Sequence, residues 1–361
     1  MITKAKAPGK LYLAGEYSVT LPGHASIIFA VDRYMFVTLS DLDEREIILK
    51  SDKLATCRVA LDQLTPTDDI VPEWHLALST LQVLQTWLTE QGLTLGGLSI
   101  EFTSDLDIDG KKIGLGSSAA LVVALIKAVA KHFDLELSKL NRFKLGAIAL
   151  TLLPNFKNGS MGDVAAASFN NVIYYQRFDN VWLQSQLDSY HAGNLLNLLS
   201  LDWPKLDIHT IAFPEEWQLL VGWTGQPADT QQLLLVNARV ARIYKDRLGK
   251  KTTPLIKILE KNIQNTDYIG FKTNLRLNQK ALIAFSEAMR INYLTPKLHE
   301  LVAAAYHRGI ASKISGAGNG DNGIAIVTNA ESAANLTQKW ESFGIKPLNL
   351  HIATDEMEDA L

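Results

Sequence analysis

The chain has 361 residues, of which 47% are hydrophobic and 20% are charged, and its formal net charge is −3. This composition is typical of a globular protein with a full core, and it excludes disordered and fibrous classes. With 35 basic and 38 acidic residues, no overall positive field exists to hold nucleic acid or an anionic membrane, so any anion site must be local. Cys57 is the only cysteine, which excludes an intrachain disulfide or a cysteine-based zinc site. Because no apolar run reaches the roughly 18 residues of a membrane span, we expect a cytoplasmic protein.

The length favours two domains, which we place at residues 1–190 and 191–361, with the change inside an irregular stretch at 185–214. In the first domain, alternating apolar residues between glycine and proline breakers predict strands at 11–14, 25–31, 34–39 and 98–102. Apolar residues at helical spacing predict helices at 73–91, 118–133 and 140–153. The second of these helices is apolar on almost every side, which is typical of a helix buried on most of its faces.

The second domain is predicted to mix helices with a few strands. A strand at 219–223 precedes predicted helices at 232–247, 254–264, 275–292 and 295–309. The chain then passes through a strand, a glycine loop, a strand, a helix and a strand, at 311–314, 315–321, 324–327, 331–343 and 346–352. We therefore predict an α+β fold.

The most informative segment is a glycine loop, KIGLGSSAA from Lys112, which leads into the apolar helix. Glycines let the backbone approach a phosphate closely, and the first helical turn adds unpaired N–H donors and the positive end of the helix dipole. The segment is neither a Walker loop nor a complete GxGxxG dinucleotide loop. Taken alone, it fits both a phosphate cradle and a plain helix start capped by Ser117.

Two further motifs accompany this loop, namely APGKLYLAGEY from Ala7 and SGAGNGD from Ser315. The three motifs, in this order, resemble those of the GHMP kinase superfamily of small-molecule kinases. The resemblance runs over nearly the whole chain and is greatest to the bacterial phosphomevalonate kinases. It is carried by APGKLYLAGEY, NGSMGDVAAASF from Asn158, GWTGQPADT from Gly222 and ASKISGAGNGDNG from Ala311.

This resemblance implies ATP-dependent phosphorylation of (R)-5-phosphomevalonate to (R)-5-diphosphomevalonate, with release of ADP, in the mevalonate pathway of isoprenoid synthesis. It also implies an N-terminal half like domain 2 of ribosomal protein S5 and a ferredoxin-like C-terminal half, with the active site in the cleft between them. The implied ligands are phosphomevalonate, ATP and Mg²⁺. No nucleic acid or membrane partner is implied, and we expect a monomer or a homodimer.

Phosphoryl transfer needs cations and hydrogen-bond donors more than covalent help from the protein. By the resemblance, Lys10 is the leading cation for the substrate phosphate and the transferring group, and Lys112 is a second candidate beside the ATP phosphates. Asp163 is expected to orient the acceptor and Lys10 more than to act as a base, because a phosphate acceptor is already largely ionised near pH 7. The plain alternative for Asp163 is a helix N-cap. Ser160, in the same loop, is a candidate donor to the substrate phosphate.

The resemblance also assigns the remaining site residues. The expected ATP phosphate cradle consists of Gly114, Leu115, Gly116, Ser117, Ser118 and Ala119. Ser118 is preferred over Ser117 as a ligand of Mg²⁺. The residues expected on the substrate side are Tyr17, Thr224, Thr230, Ser315, Gly316, Ala317, Gly318 and Asp321.

The chain departs from the usual pattern of the superfamily in three places. Asn319 replaces a glycine of the last loop, which asparagine's tolerance of left-handed backbone should allow. Asn322 stands where a small residue or cysteine is expected, so the fine substrate contacts there are open. Mevalonate kinases carry a magnesium-binding glutamate about ten residues before the catalytic aspartate, whereas residues 148–158 contain no acid here.

Two alternative functions remain open from the sequence. The first is the same chemistry on another alcohol, chiefly mevalonate; a phosphorylated acceptor needs more cations, for which Lys157, Arg142 and Arg33 are candidates. The second is a regulatory protein that binds nucleotide without catalysis. The presence of Lys10, Ser118 and Asp163 together argues against this alternative. The eight histidines show no metal-ligand spacing, and no GxSxG hydrolase motif occurs.

Overall fold

The structure is a computed structural model that describes residues 1–108, 110–189, 194–226 and 238–359. Within these residues, the N-terminal half is built on a seven-stranded sheet and a short β-hairpin. The sheet strands are β1 (Ile2–Ala14), β2 (Ala25–Leu42), β3 (Glu46–Ser51), β4 (Cys57–Ala60), β5 (Gly97–Ser104), β8 (Val172–Gln176) and β9 (Asp207–Thr210), and the hairpin strands are β6 (Asp107–Ile108) and β7 (Lys111–Lys112). The sheet order is β4-β3-β5-β2-β8-β9, with β1 paired antiparallel to β2.

The helices of this half are α1 (His75–Glu90), α2 (Ser117–His132), α3 (Lys139–Thr151), α4 (Gly162–Phe169), α5 (Asn180–Asp188) and α6 (Leu195–Ser200). As predicted, α2 is buried on most of its faces, and Val122, Leu125 and Val129 are fully enclosed. Burial of one large apolar side chain contributes about 1.5–3 kcal/mol to the free energy of folding. The helix lies along β1, since Lys10 N donates to Leu115 O at 2.8 Å just ahead of α2.

The C-terminal half has a four-stranded antiparallel sheet of order β11-β12-β10-β13. Its strands are β10 (Gln218–Trp223), β11 (Ala311–Ser315), β12 (Asn322–Val327) and β13 (Lys346–Leu348). Its helices are α7 (Ala238–Gln264), α8 (Tyr268–Ala288), α9 (Pro296–Tyr306), α10 (Ala330–Ser342) and α11 (Asp355–Asp359). Along the chain the elements follow the order β10, helices, β11, β12, α10, β13, which is the βαββαβ order of a ferredoxin-like fold. The predicted α+β fold is confirmed.

Two pairs of predicted elements are single elements in the structure. The strands predicted at 25–31 and 34–39 form one strand, β2, with a register shift against β1 where Asp32 and Arg33 interrupt the apolar pattern. The helices predicted at 232–247 and 254–264 join in α7, which continues through Pro254; residues 232–237 lie outside the described residues. Ile256 and Leu259, beyond the proline, are fully buried, so packing outweighs the helix-breaking tendency of proline.

The boundary placed after residue 190 stays a prediction. The sheet of the N-terminal half includes β9, which pairs with β8 and is formed by residues 207–210. No helix in the described part of the chain is long and apolar enough to cross a membrane.

Candidate active site between two glycine loops

The head of α2 is open. Its N-cap residue is Gly116, which has left-handed backbone (φ 78°) and no side chain to cap the helix, so the alternative in which Ser117 caps the helix is wrong. The backbone N–H groups of Ser117, Ser118 and Ala119 have no acceptor among the residues that the structure describes. Three free donors at the positive end of a helix dipole are a ready anion site.

Lys10 lies directly beside this helix head. Its ammonium donates to Gly114 O at 2.9 Å, and it stands 5.6 Å from the centre of the Tyr12 ring. The approach depends on Gly9, because a Cβ there would lie 2.7 Å from the Leu106 side chain and 2.9 Å from Leu115 O. The first strand therefore places a cation at the mouth of the glycine loop.

Asp163 adjoins the same point. A Cβ on Gly116 would lie 3.0 Å from Lys10 Cε and 3.5 Å from Asp163 Cβ, so both side chains flank the space above this glycine. Asp163 is the second residue of α4, whose N-cap is Met161 with left-handed backbone (φ 61°). The alternative in which Asp163 caps the helix is therefore wrong.

Ser160 is held in the loop before α4. Its hydroxyl accepts from Gly162 N at 3.2 Å and shares a hydrogen bond of 2.8 Å with Tyr12 OH. Its carbonyl accepts from Tyr175 OH at 2.7 Å. Burial, reinforced by the nearby Asp163 charge, raises the pKa of Tyr12 well above its usual value, so this phenol stays protonated.

Arg177 packs beneath this loop, and no sequence motif predicted its role. The guanidinium is fully buried and donates to Thr20 O at 2.7 Å, to Gly159 O, and to Lys157 O at 3.4 Å. Burial lowers the pKa of Arg177, and burial together with the Arg177 charge lowers the pKa of Lys245 on α7. No carboxylate among the described residues forms an ion pair with either cation, so positive charge collects behind the loop that precedes α4.

The last glycine loop meets the first one. The Asn322 side chain donates to Ile113 O at 2.6 Å, and a Cβ on Gly114 would lie 2.6 Å from the Asp321 carboxylate. Thr224 N donates to Asp321 O at 2.9 Å, which brings β10 to the same junction. Asn319 has left-handed backbone (φ 61°), as its replacement of glycine requires.

The last two residues of the APGKLYLAGEY motif, Glu16 and Tyr17, hold the last glycine loop in place. Lys313 and Glu16 form a buried ion pair, and Gly316 N donates to Glu16 Oε1 at 3.3 Å. Tyr17 OH donates to Ala317 O, and its ring packs 5.0 Å from that of Phe285. Tyr17 therefore binds the loop, and its role as a substrate contact stays a prediction.

Not every predicted residue reaches this cleft. Lys112 is exposed on the β6–β7 hairpin and forms no ion pair or side-chain hydrogen bond with a described residue, and its catalytic role stays a prediction. Thr230 lies outside the described residues. Arg142 lines a cavity at the start of α3, and Lys157 is exposed.

The oxygen donors at the cleft suit a magnesium ion that arrives with a nucleotide. No group of three or more histidine, cysteine or acidic residues that could hold a metal occurs in the described ranges. Mg²⁺ in nucleotide sites is commonly bound by one or two protein oxygens together with phosphates and water. The Ser118 hydroxyl at the open helix head and the Asp163 carboxylate beside Gly116 fit that pattern.

Comparison with known proteins agrees with this geometry. The family model described as the GHMP kinases N terminal domain matches residues 75–171, and the GHMP kinases C terminal model matches residues 259–346. The chain is 34% identical to a phosphomevalonate kinase of Streptomyces sp. (strain CL190), with 95% of each chain covered. It is 26% identical to a mevalonate kinase of Pyrococcus abyssi, over 88% of this chain and 86% of the relative.

Among solved structures, the fold is similar to Streptococcus pneumoniae phosphomevalonate kinase in complex with phosphomevalonate and AMPPNP. The TM-score is 0.82 at 27% identity, with 96% of this chain and 99% of the other covered. The N-terminal family model covers the first glycine loop, and the C-terminal family model covers the last one. The chain belongs to the GHMP kinase superfamily.

Proposed function

We propose that the protein phosphorylates (R)-5-phosphomevalonate with ATP, giving (R)-5-diphosphomevalonate and ADP. The observation that carries the proposal is that the Lys10 and Asp163 side chains both flank Gly116, directly ahead of the three unpaired amides of α2, with the Lys10 ammonium bound to Gly114 O. A cation, a set of donors and an acid at one point suit phosphoryl transfer, in which the protein mainly positions groups and offsets charge.

In this mechanism the amides of Ser117, Ser118 and Ala119 bind the ATP phosphates. An oxygen of the acceptor phosphate attacks the γ-phosphorus, a new P–O bond forms, and the bond to the bridging oxygen breaks with its electron pair leaving on ADP. Lys10 offsets the charge that gathers on the transferring group. Bound Mg²⁺, held by Ser118 and Asp163, would supply further charge neutralisation.

Asp163 acts mainly as a positioning residue in this scheme. The acceptor phosphate is already largely ionised near neutral pH, so little base catalysis is needed. Its carboxylate, on a side chain that flanks Gly116 together with Lys10, would instead set the charge around the ammonium, whose own hydrogen bond goes to Gly114 O. Ser160, held by Tyr12 and Gly162 N, donates a hydrogen bond from its hydroxyl to the acceptor phosphate.

The choice of a phosphorylated acceptor over mevalonate is supported by two observations. The phosphomevalonate kinase of Streptomyces shares 34% of its residues with this chain, against 26% for the mevalonate kinase of Pyrococcus abyssi. The loop before α4, which carries Ser160 and would contact the acceptor, also has the buried Arg177 and the half-buried Lys245 behind it. Positive charge behind the acceptor favours the substrate with more negative charge.

The test is a steady-state assay of the purified protein that measures ADP formation with ATP and either phosphomevalonate or mevalonate. We expect turnover with phosphomevalonate and, by mass spectrometry, a product one phosphate heavier. Turnover with mevalonate alone would assign the mevalonate kinase reaction instead. Nucleotide binding without turnover of either substrate would favour the regulatory alternative.

A further inference from the structure

An open cavity of about 860 Å³ lies on the outer side of the N-terminal half. It is formed by the start of β1, the last turn of α2, the α2–α3 link and the first turn of α3. Its cationic side chains are Lys4, Lys6, Lys127, Lys131 and Arg142. Its carboxylates are Asp134 and Glu136. Five cations against two acids give a local formal charge of +3 in a chain whose net charge is −3.

Part of this positive charge is buried. Lys6 is only 8% exposed, and its ammonium lies 4.8 Å from the centre of the Tyr34 ring. The Lys127 ammonium donates to Lys6 O at the same place. Within the ranges that the structure covers, no carboxylate forms an ion pair with Lys4, Lys6 or Lys131. Removing an ammonium from water costs free energy that a bound anion would offset.

We propose that this cavity is a second anion site, which binds a small molecule carrying a diphosphate group. The three lysines that have no carboxylate partner among the described residues, Lys4, Lys6 and Lys131, suit a group with several ionised oxygens, such as a diphosphate. The volume lies within the range of about 300–1,000 Å³ that is usual for small-molecule sites. The head of α3, where Ser138 caps the helix by accepting from Asn141 N at 3.1 Å, adds the positive end of a helix dipole.

The cavity and the glycine loop lie at opposite ends of the same two elements. β1 runs from Lys4 in the cavity to Lys10 at the loop, about 20 Å at the usual rise of a strand. α2 runs back from Ser118 at the loop to Lys131 in the cavity, also about 20 Å. The cavity is therefore separate from the proposed ATP cradle, and a test must keep the cradle filled.

The experiment is isothermal titration calorimetry with inorganic pyrophosphate. The full chain is first saturated with AMP-PNP and phosphomevalonate, so that both phosphate-binding parts of the proposed active site are filled, in buffer with enough magnesium for all ligands. The variants are the double change Lys4→Glu and Lys131→Glu, both at exposed positions, and the control Lys280→Glu, an exposed lysine on α8. Circular dichroism and thermal melting verify that each variant is folded.

We expect one pyrophosphate per wild-type chain, binding at least tenfold more weakly to the double variant and within twofold of wild type to the control. Affinity should fall as salt rises. Absence of binding to the nucleotide-saturated wild type, or equal binding to the double variant, would overturn the proposal. Because the readout is binding and not turnover, failure here is distinguishable from failure of the proposed kinase function.

Discussion

The two glycine loops look alike in sequence, yet their surroundings differ. The first leads into a sixteen-residue helix whose head is uncapped, and its glycines keep space open beside Lys10 and Asp163. The last loop joins two antiparallel strands, β11 and β12, and is tied down by Glu16, Tyr17 and Asn322. Glycine content alone therefore does not distinguish the two loops; the unpaired amides of the first turn of α2 do.

The largest effect should come from breaking the ion pair that holds the last loop. Lys313→Met leaves the Glu16 carboxylate buried without its cation, and we expect a loss of about 3–5 kcal/mol in the free energy of unfolding. Urea denaturation followed by fluorescence measures it. The double variant Glu16→Gln, Lys313→Met should recover much of the loss. An unchanged denaturation midpoint in Lys313→Met would mean that the pair does not hold the loop.

Loss of the cation at the first loop should reduce catalysis without unfolding the protein. We expect Lys10→Met to raise the barrier by about 3–4 kcal/mol, a fall in kcat of roughly two to three orders of magnitude, with little change in ATP affinity. Asp163→Asn should lower kcat in the same direction. Kinetics and nucleotide titration measure the two quantities, with Lys280→Met as a control on the exposed surface. Normal turnover in both site variants would remove these residues from the mechanism.

A matched pair of glycine variants separates the two loops. Gly116 (φ 78°) and Gly316 (φ 90°) both have left-handed backbone, so valine costs a similar strain of about 1–2 kcal/mol at each. At Gly116 the new side chain enters the space beside Lys10, whereas nothing lies within 4 Å at Gly316. We expect Gly116→Val to weaken AMP-PNP binding at least tenfold and Gly316→Val to leave it nearly unchanged. Equal binding by both variants would place the phosphates elsewhere.

A smaller loss of stability than that of Lys313→Met should come from removing the hydrogen bond between the loops. Asn322→Ala removes the donor to Ile113 O and leaves that carbonyl buried, for an expected loss of about 1–3 kcal/mol in stability. Urea denaturation measures the change. If Asn322→Ala destabilised the protein as much as Lys313→Met, the hydrogen bond between the loops would be as important for stability as the buried ion pair.

Much of the fold follows from local patterns. The apolar periodicity of α2 gave its bounds to within a residue at each end, because nearly every position is buried against β1, β2 and neighbouring helices. Periodicity failed where tertiary contacts override it. β2 continues through Asp32 and Arg33, whose polarity suggested a break, and α7 continues through Pro254.

The candidate site was predictable only in its motif residues. Lys10, Gly116 and Asp163 lie together in the structure, and their roles stay predictions. Arg177 and the pairing of Glu16 with Lys313 were not predicted, because such contacts join residues far apart in the chain and leave no local spacing pattern. The sequence raised Asn322 as a departure, and only the structure gives it a partner, the carbonyl of Ile113.

The most direct test of the account is a crystal structure of the protein with AMP-PNP. We expect phosphate oxygens within about 3.2 Å of the amides of Ser117 and Ser118, and of the Lys10 ammonium. Phosphates bound away from the head of α2, with Lys10 still on Gly114 O and the three amides still unpaired, would contradict it.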